Sequence, residues 1–245
     1  LEIVKGRLER EYRLDLVVTA PTVEYEIKVK SQKLKVKSAT ELPEKFDEIC
    51  ETWAEVEIIT PYRFLGAVMK VIGRARGKFL DQKHLGEKRA KIKCEVPLAE
   101  LISTFYDHLE SASSGFASLN WGFKDFRLVE AGKLEILVNR EVVEPFSRIV
   151  VKDRAYEIGR RTVKKLKEIL PREQFMVPLQ ARFNGRIIAR ESIPALRKDV
   201  TAKLYGGDQT RKDKLLKKQK AGKKKLAQIG KIRVPKEVFR EIIEV

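Results

Sequence analysis

Residues 55–127 read EVEIITPYRFLGAVMKVIGRARGKFLDQKHLGEKRAKIKCEVPLAELISTFYDHLESASSGFASLNWGFKDFR, and the order of periodicities in this stretch decides the fold. Residues 55–60 carry Val56, Ile58 and Ile59 and stop at Pro61, as a strand does. Leu65, Val68, Met69 and Ile72 then follow the i, i+3, i+4, i+7 rule of an amphipathic helix. Residues 78–85 and 89–96 are two strand candidates joined near Gly86. Pro97 suits the first turn of a helix whose stripe is Leu98, Leu101, Ile102, Phe105, Leu109 and Ala112. Gly115 closes that helix and 116–127 supplies a last strand. The order β-α-β-β-α-β is the split βαβ, or ferredoxin-like, arrangement. An α+β unit with an antiparallel sheet is therefore expected over 53–128, two helices covering one face and the other left for a partner.

Working outward, 1–13 reads as a helix with Ile3, Val4, Leu8 and Tyr12 at near-helical spacing. Residues 14–20 and 23–29 look strand-like around Pro21, and 39–52, with Pro43 and no clear period, reads as a linker after a unit at 1–38. Leu1 is not Met and has no cap before it, the pattern expected of a chain that begins inside a larger protein. A second α+β domain is expected at 129–245. It has strands at 133–138 and 147–151, then a helix at 155–170 with Val163, Leu166, Ile169 and Leu170 on one side and Arg160, Arg161, Lys164 and Lys165 on the other. A hairpin at 175–183 and 186–190 turns on Asn184-Gly185. Past Pro194 a lysine-rich tail begins, anchored by Leu204, Leu215, Leu216, Leu226 and Ile229.

Charge is concentrated in that tail. The chain of 245 residues carries a net +17, of which +11 lies in the 38 residues of 197–234. A polyphosphate backbone is the partner such a stretch implies, through release of condensed counterions. Apolar residues at 43% describe a globular chain, and no apolar run approaches the length of a membrane-spanning helix. Cys50 and Cys94 cannot form a disulfide framework or a Cys-x-x-Cys zinc site, and they fit a reducing compartment.

Catalytic and cofactor motifs are missing. Gly77-Lys78 and Gly132-Lys133 lack the earlier glycine and the hydroxyl of a P-loop, so GTP and magnesium are not expected on this chain. His84 and His108 sit in no zinc pattern, and Asp107-His108, adjacent on a helix, diverge by about 100°. No clustered carboxylates suggest a metal-dependent nuclease. Residues 115–121 partly echo the RNP1 strand of RNA-recognition motifs, yet Ser114 and Ser118 stand where a cation and an aromatic are needed, on the fourth strand and not the third. Phe116, Trp121 and Cys94 are therefore expected to be packed. In the tail, Gly206-Gly207 permits a tight turn and Asp208 or Thr210 a helix cap. Phosphate contacts are expected from Arg197, Lys198, Lys203, Arg211, Lys212, Lys214, Lys217, Lys218, Lys220, Lys223, Lys224 and Lys225.

Tyr205-Gly-Gly-Asp208, the run from Arg211 to Lys225 and Ile229-Gly230 closely resemble the carboxyl end of the LepA, or elongation factor 4, family. Leu8-Glu-Arg-Glu-Tyr12, Thr19-Ala-Pro21, Pro97-Leu-Ala-Glu100, Leu170-Pro-Arg172 and Ile187-Ile-Ala-Arg190 extend the likeness over the chain. Leu204, Ser114 and Pro194 depart from the family pattern. The resemblance implies a translational GTPase related to elongation factor G without its fourth domain. On that reading 1–38 ends domain III, 53–128 is domain V, 129–245 is the LepA-type carboxyl-terminal domain, and the GTPase domain would precede Leu1. It further implies a monomer that binds the ribosome, tRNA and ribosomal RNA, associated with back-translocation. A bacterial cytoplasm is implied, with peripheral attachment at the cytoplasmic membrane face. Charge and fold by themselves equally allow a stand-alone RNA-binding ribosome-assembly protein.

Overall fold

A computed structural model describes residues 2–13, 16, 21–196, 198, 200–201, 209–230, 232 and 234–243. Contacts divide the chain into a ferredoxin-like unit, Ala20–Ala131, and a basic unit formed by Leu1–Thr19 with Gly132–Val245.

The ferredoxin-like unit is organised by β3 (Glu48–Pro61), fourteen residues long and paired along both edges. On one edge it meets β6 (Ser118–Leu128), and on the other β5 (Arg89–Pro97), which pairs in turn with β4 (Lys78–Leu85). All these pairings are antiparallel, and the order β4-β5-β3-β6 is that of a ferredoxin-like sheet. Strand alternation puts Ala54, Val56, Ile58, Ile92, Cys94 and Val96 on one face. There they are buried against Val68, Val71 and Ile72 of α2 (Leu65–Arg74) and against the second helical segment. That segment runs from α3 (Leu98–Glu100) through a π-helical stretch at Leu101–Phe105 into α4 (Tyr106–Ser113). Leu101, Phe105 and Leu109 are buried at steps of four, while Ile102, placed in the stripe by sequence, is 37% exposed because the π turn shifts the phase. Ser114 (φ 52°) takes the left-handed position ending α4, and Gly115 follows at φ 78°.

Two expectations fail at the amino end of this unit. β1 (Tyr25–Val29) and β2 (Gln32–Val36) form a hairpin, and β1 pairs with Glu48–Glu51 of β3 on the edge β5 uses further along. In this chain the hairpin thus extends the ferredoxin-like sheet and is not part of a separate unit at 1–38. Residues 48–52 of the expected linker are strand, and Ala39 and Leu42 within it are buried. An ion cluster fixes the junction: Arg76, at φ 59° just past α2, grips both carboxylate oxygens of buried Glu51 at 2.8 Å, with Glu100 3.4 Å away. Burial and the Glu51 charge push the Tyr25 phenol upward. The strand expected at 14–20 lies largely outside the described residues.

In the basic unit α1 (Glu2–Tyr12) opens the chain, and Ile3 of its apolar stripe is 87% exposed. The sheet runs β11 (Arg186–Ile193), β10 (Val177–Phe183), β7 (Ala131–Val138), β8 (Glu141–Val142), with β9 (Arg148–Val151) also on β7. β7 turns at Asn139-Arg140 into β8, and β10 turns at Asn184-Gly185 into β11. α5 (Lys152–Ile169) packs across β9, β10 and β11. Two helices follow: α6 (Gln209–Ile229) and the unanticipated α7 (Lys236–Ile243), whose Val238 and Ile242 enter the core and whose Phe239 ring lies 4.8 Å from that of Phe146.

At Gly159, α5 comes so close to the sheet that an added Cβ would stand 2.9 Å from Ala181 Cβ and 3.2 Å from Ile188 Cδ1. Gly159→Ala gains about 1 kcal/mol of helix propensity but forces helix and sheet apart. A net loss of about 1–2 kcal/mol is expected, read as a lowered midpoint in urea unfolding.

Candidate nucleic-acid interface

α6 is held to its unit by one stripe. Lys212, Leu215, Gln219, Lys223 and Ala227 are half-buried, close to the four-residue step of a helix face. Gln219 Nε2 donates to the Lys198 carbonyl at 2.8 Å and Lys223 Nζ to the Leu196 carbonyl. At the far end the Asn139 amide donates to the carbonyls of Ala227 (3.2 Å) and Gly230 (2.9 Å), satisfying groups a helix terminus leaves unpaired. Gly230 allows that seat, since a Cβ there would lie 2.6 Å from the Phe175 ring. Leu216 and Leu226, expected as anchors, are exposed instead.

At 100° per residue, Arg211, Lys214, Lys217, Lys218, Lys220, Lys224 and Lys225 spread over about half the helix circumference opposite that stripe, and all seven are exposed. Among the described residues Lys214, Lys217, Lys218, Lys220, Lys224 and Lys225 enter no ion pair. Exposed Lys198 lies beside α6 through its carbonyl. Thr210 falls inside the first turn and does not cap it. Arg197, Lys203, Gly206, Gly207 and Asp208 lie outside the described residues.

The open face of the ferredoxin-like sheet is the other place where RNA could be read, and its charges are already spent on one another. Lys91 pairs with Glu57 at 2.8 Å and Lys93 with Glu55 at 2.7 Å. Glu55 and Glu95 stand directly opposite each other on β3 and β5. Lys124 relieves that like-charge pair by contacting both, and Arg127 meets Glu95 at 2.7 Å with its guanidinium 4.4 Å above the Trp53 ring. Hydrogen bonds from Arg127 and Lys124 hold the Glu95 carboxyl down at about 2. No row of stacking aromatics occupies the face. Phe116 and Trp121, expected inside, are 61% and 48% exposed. Phe116 stacks on Phe64 beneath the Arg63 guanidinium, whereas Trp121, paired with buried Val56, lies on the helix-covered side of an edge strand. Cys94 is fully buried as expected, which pushes its thiol up to about 12.

Neither Gly-Lys pair stands at a helix N-terminus, where backbone amides can face a phosphate. The Gly77 amide donates to Ile72 O at 2.8 Å between α2 and β4, and Gly132 lies within β7, so neither precedes a helix. Among the described residues no helix is long and apolar enough to cross a membrane.

Two family models match the chain, one after the other. The Elongation factor G C-terminus family matches residues 48–137 and the GTP-binding protein LepA C-terminus family residues 138–244. Residues 138–244 therefore carry the carboxyl-terminal module of the LepA, or elongation factor 4, family, and the chain is similar to members of that family along its whole length. It is 45% identical over 247 aligned positions to Elongation factor 4 of Synechococcus elongatus and 44% to that of Rubrobacter xylanophilus, covering all of this chain and 41% of each relative. It is 42% identical to the chloroplastic Translation factor GUF1 homolog of Ostreococcus lucimarinus, again covering all of this chain and 41% of the relative. The chain thus spans about 41% of the length of the curated relatives it matches.

Two outcomes follow from the geometry. Glu95 has its pKa depressed on folding, so its contribution is present above the ordinary carboxylate value of 4.5 and is lost as pH falls toward about 2. Glu95→Gln should lower stability at pH 7 by about 1–2 kcal/mol, and the gap to wild type should close in that acid window when unfolding is followed against pH. Asn139→Asp keeps the turn preference but removes both N–H donors. It should loosen the carboxyl end of α6, raising amide exchange at 226–230 roughly tenfold.

Proposed function

We propose that this chain is the RNA-contacting portion of a ribosome-associated translation factor, gripping tRNA and ribosomal RNA through α6, Lys198 and the segment 197–208. The carrying observation is electrostatic. Six lysines on the exposed half of α6 have no ion pair among the described residues, while Lys91, Lys93, Lys124 and Arg127 of the sheet are neutralised in place. Unpaired cations on a supported helix release counterions from a phosphate backbone and fix position without reading sequence. On sequence alone, Arg197 and Lys203 would add contacts. The chain's own chemistry is binding and orientation, not catalysis. In the longer family protein GTP and magnesium would belong to a nucleotide-binding domain. The ferredoxin-like unit would be the domain V platform, and the factor would act as a monomer in the cytoplasm, peripheral to the membrane at most, in ribosomal back-translocation. A stand-alone ribosome-assembly protein is disfavoured, because relatives named Elongation factor 4 match the chain along its whole length.

Removing everything after Ala195 would also strip Val238 and Ile242 from the core. Charge removal is the cleaner test. Changing Lys214, Lys217, Lys218, Lys220, Lys224 and Lys225 to Gln should leave the thermal midpoint unchanged or higher. It should also flatten log K against log salt for a tRNA transcript by about 0.7–0.9 per lost contact. Unchanged affinity and slope would refute the assignment.

A further inference from the structure

Part-buried arginines in this molecule hold carboxylates. Arg76 holds Glu51, Arg127 holds Glu95, and Arg182 reaches Glu135 at 2.7 Å. Arg148 breaks the pattern. It lies on β9 two residues before buried Val150, so strand alternation turns both toward the same face. Its Nη2 stands 3.4 Å from Oγ1 of Thr162, an α5 residue only 1% exposed. That hydroxyl donates to Ile158 O at 2.9 Å, so it can offer the guanidinium no more than a long, neutral acceptor. Among the described residues Arg148 enters no ion pair, and the charge that acts on it is a like one, Arg161, which is exposed on α5 next to Thr162. Burial and Arg161 together lower the Arg148 pKa from its usual value, though a guanidinium stays charged at neutral pH.

A half-buried cation with no ion pair among the described residues, beside a second cation, is an unfavourable arrangement for a free protein and a favourable one for an anion-bound protein. We infer that Arg148 and Arg161 form a second anion site, apart from α6, which takes one backbone phosphate of bound RNA. The planar fork of Arg148 suits two oxygens of a phosphodiester, and Arg161 closes on it from the solvent side. A phosphate and not a side-chain carboxylate is the chosen ligand because the tail of the same unit carries +11 over 38 residues, a charge a polyanion can engage at several points at once. The inference rests on the RNA-binding reading above.

The test uses the full 245-residue chain, a tRNA transcript and a polyglutamate control. Arg148→Met removes the charge at similar volume and Arg161→Gln removes the exposed partner; both are compared with the six-lysine α6 variant. Each single change should reduce the slope of log K against log salt by about 0.7–0.9. Arg148→Met should melt no lower than wild type, an outcome opposite to that of breaking a structural ion pair. If it fails to fold, the slope of Arg161→Gln decides. Unchanged slopes in both variants, with loss in the α6 variant, overturn the second site and leave the RNA reading standing. Unchanged slopes in all three overturn both. Loss of polyglutamate binding with tRNA binding intact overturns the proposal in favour of an acidic protein surface.

Discussion

Self-repulsion along α6 is the constraint around which the basic unit is arranged. Nine lysines and arginines share 21 residues with a single acid, Asp213, and each like-charge pair one turn apart costs a few tenths of a kcal/mol. A helix of that length and composition is marginal in isolation. It is kept helical here by neutral contacts: the Asn139 amide on two terminal carbonyls, the Gly230 seat against Phe175, and Gln219 on the Lys198 carbonyl. Apart from Lys223, whose Nζ donates to the Leu196 carbonyl, these contacts hold the backbone without using lysine charge, so the six exposed lysines remain available to a partner.

The two units treat charge in opposite ways. On the ferredoxin-like sheet, carboxylates and cations alternate across strands, and even the like-charged Glu55 and Glu95 are reconciled by Lys124. In the basic unit Glu135 is neutralised by Lys133 and Arg182, but six exposed lysines of α6 and Arg148 enter no ion pair among the described residues. Net charge by itself does not locate an interface. The location comes from which cations lack partners.

The ferredoxin-like order was legible because period 2 and period 3.6 alternate cleanly from Val56 to Arg127, and helix α5 was legible for the same reason. Hairpins were legible only where turn chemistry is cheap. Asn184-Gly185 takes positive φ readily, whereas Lys30-Ser31 (φ 47° and 70°) forms a turn of the same kind from residues that do not announce it, and Asn139-Arg140 (φ 50° and 72°) has only its Asn to signal one. The β1–β2 hairpin and its docking on β3 were missed for that reason. Helix α7 has eight residues, too few for a convincing period, and its place in the core depends on tertiary contact with Phe146. Of the site, the α6 lysines were readable as charge. The stripe that docks them was not, since Gln219 and Lys223 are polar, and Arg148 is ordinary in sequence until the lack of a carboxylate beside it is seen.

The interlocked charges on the sheet face carry a consequence for heat. Hydration of ions becomes less favourable as temperature rises, so the desolvation that Glu95, Arg127 and Lys124 incur by pairing shrinks on warming, while hydrophobic gain per unit area levels off. The ferredoxin-like unit therefore grows relatively more dependent on its ion lattice the hotter it becomes. On α6, where six exposed lysines enter no ion pair among the described residues, no such reinforcement is gained until a polyanion arrives.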